Sequence, residues 1–167
     1  IEDIAKREGR CVPALLEHMI DYILKHGLDE EGIFRISGST DGVRELQESF
    51  DTSPTLPDLA AYDIHTVCSV FKSFFRSLPV PVIGAELETK LRPILLALRT
   101  NQYQLHQGLS QISSLLKMTL SAPDYQTLKQ VFRMLFIITE HSAKTKMTQE
   151  NLLTCLNPSL RLPNDLF

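Results

Sequence analysis

The spacing of apolar side chains constrains this chain most. Leu15, Leu16, Met19, Ile20 and Ile23 recur three or four residues apart, and Gly27 follows them. That spacing lines one face of a helix, and a glycine is a natural stop for it. Val67, Cys68, Phe71, Phe74, Phe75 and Leu78 repeat the pattern until Pro79 and Pro81 end it. Leu105, Leu109, Ile112, Leu116 and Leu120 do so again, and Leu128, Val131, Phe132, Leu135, Phe136 and Ile138 make the widest apolar face. Ser121, with Pro123 and Asp124 after it, reads as the N-cap of that helix. Thr148 caps a last helix, which Asn157-Pro158 is expected to terminate. Leu87, Leu91, Ile94, Leu95 and Leu98 add a further helix, started or kinked near Pro93. No stretch alternates as a strand does between hairpin turns. The expectation is an all-α, single-domain multi-helix bundle, with TSPTLPDLAAYD as a connecting loop.

Bulk properties narrow the function. The 167 residues suit one domain, and 43% hydrophobic content supports one core. With 17 basic and 20 acidic side chains the formal charge is −3, which argues against nucleic acid as the partner. The longest apolar runs, LRPILLAL and VFRMLFII, are short and contain arginine, so no insertion into a membrane is expected. No charged-then-apolar leader opens the chain. Cys11, Cys68 and Cys155 are widely spaced, without a CxxC, so neither a disulfide framework nor a metal site is expected. Cys68 falls in an apolar stripe and reads as a buried, inert thiol. The pattern fits the reducing cytoplasm; any membrane proximity would come from other domains.

No GxxxxGK[ST], HExxH or GxSxG is present, and the histidines at 18, 26, 65, 106 and 141 show no ligand spacing. Two segments carry the candidates. In GLDEEGIFRISGS, Arg35 stands between Phe34 and Ile36, in a loop between the first two of these helices, where Gly32 and Gly38 give the backbone freedom to turn. In FKSFFRSLPVP, Lys72 and Arg76 lie four apart on one helical face, a stripe that His65 and Ser69 continue. Each cation has a plain reading as a solvated charge, with Glu30 or Glu31 as a counter-charge for the helical pair, and a functional one as an anion-facing contact for a partner.

The combination favours the second reading. GLDEEGIFRISGS, HTVCSVFKSFFRSLPVP and KMTQENLLTCLNPSL resemble, in order and spacing, the signature blocks of the Rho-type GTPase-activating (RhoGAP) domain, from Val12-Pro13 to Leu160. The resemblance implies one domain over 1–167 with its core at 12–160, and a final helix that the chain leaves little room for. It implies that Arg35 is an arginine finger inserted in trans, and that Lys72 and Arg76 support the finger loop and touch the GTPase. The partner would be a Rho/Rac-class small GTPase, which would bring GTP and magnesium; the domain would hold no cofactor of its own. A guanidinium suits the task because it is permanently charged, planar and forked, and opposes charge developing on the transferring phosphoryl group. Where family members carry glycine and asparagine in the third block, this chain has Asn157 and Ser159. Serine reaches less far and makes fewer bonds than an amide. The alternative is therefore a RhoGAP-like module that binds a GTPase or another protein with little or no catalysis.

Overall fold

A computed structural model describes residues 1–161. The described residues form α-helices joined by turns, with one short 3₁₀ turn and no strand. In chain order the helices are α1 (Glu2–Glu8), α2 (Ala14–His26), α3 (Thr40–Thr52), α4 (Ile64–Ser77), α5 (Ala85–Arg99), α6 (Leu105–Thr119), α7 (Ala122–Glu140), α8 (Ser142–Thr145) and α9 (Gln149–Leu160). The all-α expectation holds.

Helices α2, α4, α7 and α9 form the centre, each packed on two of the others. Leu16, Met19 and Ile23 of α2 meet Val67, Phe71 and Phe75 of α4, and Val131, Met134 and Ile138 of α7 join them with Leu152 and Leu156 of α9 in one core. Removing a single such side chain from water is worth roughly 1.5–3 kcal/mol. Helix α3 lies on α4, α6 on α7, and α5 pairs with α6 at the periphery. Side chains set the helix starts as the sequence implies: Asp63, Ser121 and Thr148 each accept the backbone N–H three residues on.

Several expectations change. The loop carrying Arg35 lies between α2 and α3, because α1 and α3 add helices at 2–8 and 40–52 that the apolar periodicity does not reveal. Helix α3 buries only Leu46 completely, so its apolar stripe is thin. TSPTLPDLAAYD is not wholly irregular: Leu59–Ala61 form the 3₁₀ turn, with Asp58 accepting the Ala60 N–H. Helix α5 starts at Ala85 and runs through Pro93, and α9 runs through Pro158 to Leu160. Proline removes one backbone donor without forcing an end where packing holds both sides. The α6 stripe is not a buried face: Leu105 and Leu109 are exposed, and Gly108 is the buried residue. A Cβ there would stand 2.4 Å from Leu98 Cδ2, so α5 and α6 approach through that glycine. Phe132 and Phe136 of α7 are also exposed. The further helix implied after Leu160 falls outside the described residues. Among the described residues, no helix is long and apolar enough to cross a membrane.

Cys68 is fully buried on α4, and burial pushes its thiol up from 9.0 to about 12, with the Phe34 amide and the Lys72 charge pulling partly the other way. The native state therefore keeps a proton that the unfolded chain loses above pH 9, so this group's contribution to stability is lost as pH rises from about 9 to 12. Urea titrations are expected to show a steeper alkaline loss for the wild type than for Cys68→Ala. Iodoacetamide at pH 8 should label exposed Cys11 while leaving Cys68 unmodified until the fold opens.

Candidate functional site

The site begins as a backbone problem. After α2 stops at Gly27, the chain turns sharply at Gly32, whose carbonyl accepts the N–H groups of Arg35 and Ile36 at 2.8 Å each. Gly32 has φ +72, a conformation that side chains rarely adopt. Phe34, two residues on, has φ 65 despite carrying a large side chain. A non-glycine residue held there costs about 1–3 kcal/mol. The strain is offset from beneath. The Phe34 ring is completely buried and meets Phe71 edge-on at 5.7 Å. Lys72 Nζ donates to the Phe34 carbonyl at 2.7 Å. A hydrogen bond from a charged donor contributes about 1.5–3 kcal/mol, enough with the buried ring to fix the turn.

That turn presents Arg35. Phe34 points into the core, and the next side chain goes outward; Arg35 is about half exposed. Its nearest carboxylate, on Glu31, is 4.0 Å away and itself exposed. Such a pair contributes on the order of 0–1 kcal/mol, too little to hold the guanidinium back.

Helix α4 supports the loop from one face. Ser69 Oγ accepts the Gly38 N–H at 3.1 Å, one turn before Lys72. Gly38 is needed for a different reason from Gly32: a Cβ there would lie 2.3 Å from Thr66 Cα, so the loop crosses α4 in backbone contact. Arg76, the next turn of the stripe, is exposed and donates to Ser159 Oγ of α9 at 3.2 Å. Arg161 in turn donates to the Arg76 carbonyl, so the ends of α4 and α9 are tied twice. Burial lowers the Lys72 pKa and Arg76 acts in the same direction, while the nearby Cys155 and Cys68 oppose it. A cleft of about 390 Å³ opens beside the turn, lined by residues including Gly38, Arg44, Gln47, Lys72 and Arg76, with no carboxylate in its wall among the described residues.

The RhoGAP domain family matches residues 13–165 of this sequence. The chain belongs to the RhoGAP family. Rho GTPase-activating protein 24 of Mus musculus is 34% identical over 160 residues, covering 95% of this chain and 21% of that protein. Unconventional myosin-IXa of Mus musculus is 46% identical over 80 residues, 48% of this chain and 3% of that protein. The crystal structure of human Rho GTPase activating protein 15 superposes with a TM-score of 0.82 at 27% identity, covering 98% of this chain and 76% of that one.

In this RhoGAP domain the residues singled out from sequence converge in part. Arg35, Gly32, Gly38, Lys72, Arg76 and Ser159 form one connected region. Lys72 and Arg76 bond a carbonyl and a hydroxyl, and not the Glu30 or Glu31 of the plain solvated-charge reading. Asn157 is two residues from Ser159 on α9, some 200° around a helix, and so faces another way. Ser159 is almost completely buried. Sequence reasoning missed the supporting role of Ser69, although it noted the residue in the stripe, and missed Thr145, whose carbonyl accepts the Gly32 N–H at 2.7 Å. Among the described residues no group of histidine, cysteine or carboxylate side chains is arranged to hold a metal ion.

Replacing Lys72 with methionine keeps the stem and removes the donor to Phe34. The variant is expected to fold, with the Arg35 and Ile36 amides showing faster hydrogen exchange by NMR. Wild-type exchange rates at both would show that Lys72 does not hold the turn.

Proposed function

We propose that this RhoGAP domain accelerates GTP hydrolysis by a Rho/Rac-class small GTPase, with Arg35 entering the partner's active site as an arginine finger. The observation that carries the reading is the pairing of an outward, weakly held Arg35 with a backbone fixed beneath it by Lys72. A loose side chain on a rigid turn can enter a second protein without unfolding its own support. Exposed Ile36 offers apolar surface beside it, and the basic cleft favours an acidic partner face although the whole chain carries −3. Family membership and relatives named as Rho GTPase-activating proteins support the same reading.

The chemistry follows from charge. As the γ-phosphoryl group moves to water, negative charge grows on its oxygens, and a guanidinium in a site dried by docking opposes it strongly. Arginine fingers contribute about 10³–10⁵ in rate, or roughly 4–7 kcal/mol of barrier. GTP, magnesium and the residue that orients the attacking water belong to the GTPase; this domain supplies Arg35 and the surface that aims it.

A second reading has one specific observation behind it. Ser159 takes the place of the family's asparagine and is turned inward to Arg76, so it is withheld from a partner. A domain in this state could dock with weak catalysis. Binding to a GTPase loaded with GDP and aluminium fluoride separates the two. An activator binds that transition-state mimic more tightly than the GTP-analogue complex, and a plain docking module binds both equally.

Arg35→Ala is expected to lower the stimulated rate by roughly 10³-fold or more while leaving the thermal midpoint and the affinity for the GTP-analogue complex nearly unchanged. Arg35→Lys should recover little, because the ammonium lacks the planar fork. A wild-type domain that accelerates no member of a Rho-class panel would remove the activator reading.

A further inference from the structure

The finger turn has a second anchor, opposite Lys72. The Gly32 N–H donates to the carbonyl of Thr145, at the end of α8, across more than a hundred residues of sequence. Thr145 is completely buried. Its hydroxyl is used in both directions: Oγ1 donates to the His141 carbonyl and accepts the Met147 N–H, each at 3.2 Å. The first bond lies within the single turn of α8 and the second ties that turn to Met147, while the Lys146 N–H, in the same peptide as the Thr145 carbonyl, donates to the Ser142 carbonyl at 2.9 Å. The next residue, Lys146, has φ 56, and its carbonyl accepts Asn151 Nδ2 at 3.2 Å. Lys144 Nζ meets Asp29 Oδ1 at 2.7 Å, tying the same bend to the stem of the finger loop.

We infer that Thr145 is a positioning residue for Arg35: its hydroxyl orients the carbonyl that holds Gly32, so that the turn is clamped at Gly32 by α8 and at Phe34 by α4. This rests on Arg35 acting as a finger. With one end released, the turn keeps its core anchor at Phe34 but gains freedom at Gly32, the residue whose carbonyl bonds Arg35 and Ile36. Small errors in placing a catalytic group are expensive, on the order of 10²-fold for displacements near 1 Å.

The test uses Thr145→Val, which keeps the volume and branching but removes the hydroxyl, and Thr145→Ser, which keeps the hydroxyl. At a temperature where all variants are folded, Thr145→Val is expected to lower kcat of stimulated hydrolysis roughly 10- to 100-fold with KM for the GTPase unchanged, and Thr145→Ser to restore most of it. NMR hydrogen exchange should show the Gly32 amide protected in the wild type and in Thr145→Ser, and unprotected in Thr145→Val. A purely structural threonine would lower the melting temperature and leave kcat intact. Wild-type kcat in Thr145→Val, or a loss confined to KM, overturns the assignment. If the wild type accelerates no GTPase, the finger reading falls, and exchange alone decides the clamp: a Gly32 amide exchanging as fast as an exposed one in the wild type overturns it, even should Thr145→Val fail to fold.

Discussion

A lysine ammonium lodged against one backbone carbonyl makes the rest of this site possible. Phe34 occupies a left-handed conformation that its side chain disfavours, and the preference must be overcome for Arg35 to face solvent. Burial of the ring supplies part of that, and the peptide plane after Phe34 is held from both sides: the Arg35 N–H donates to the Gly32 carbonyl, and the Phe34 carbonyl accepts from Lys72. Its partner is a carbonyl and not a carboxylate, which leaves the cation less well compensated and its pKa lowered by burial. A carboxylate in the cleft would satisfy Lys72 better and, under the proposed mechanism, would draw Arg35 inward and repel phosphate. Among the described residues, the wall of the cleft contains none.

Helix α4 can serve two sides because its period separates them. Val67, Phe71 and Phe75 point into the core, and Ser69, Lys72 and Arg76 point along the loop and toward α9. Successive turns rise about 5.4 Å, so Ser69, Lys72 and Arg76 act as posts at Gly38, Phe34 and Ser159. Loops anchored to such an element can carry a reactive side chain with little backbone uncertainty. Gly38 lets the loop lie directly on the helix, and any side chain there would push it off its posts.

How far the sequence could be read follows the same division. Helices α2, α4 and α7 were legible because each buries a continuous stripe, and the period of burial is written in residue type. Helix α3 was not, since it is largely polar and rests on α4 through few side chains. The apolar pattern of α6 does not reveal its buried face because a glycine, which adds nothing to a hydrophobic pattern, faces Leu98 of α5 there. Within the site, Arg35, Lys72 and Arg76 were legible as cations in a distinctive frame. Their partners were not: the Phe34 and Thr145 carbonyls are backbone atoms that every residue possesses, so residue identity leaves no trace of which ones are used.

Ser159 stands where the resemblance implies an asparagine, and the fold accommodates it. A serine hydroxyl is short, and it serves here only because the last turn of α9 comes close to α4, where Arg76 reaches it and Arg161 reaches back to the Arg76 carbonyl. The position thus works within the fold. An asparagine there has a longer side chain with two donors and a carbonyl oxygen, and could satisfy Arg76 while extending toward a docked partner. In the proposed mechanism, this domain assigns that position wholly to holding Arg76. Stabilisation of the reacting phosphate then falls more heavily on the guanidinium of Arg35, and so on the two backbone anchors that keep its turn in place.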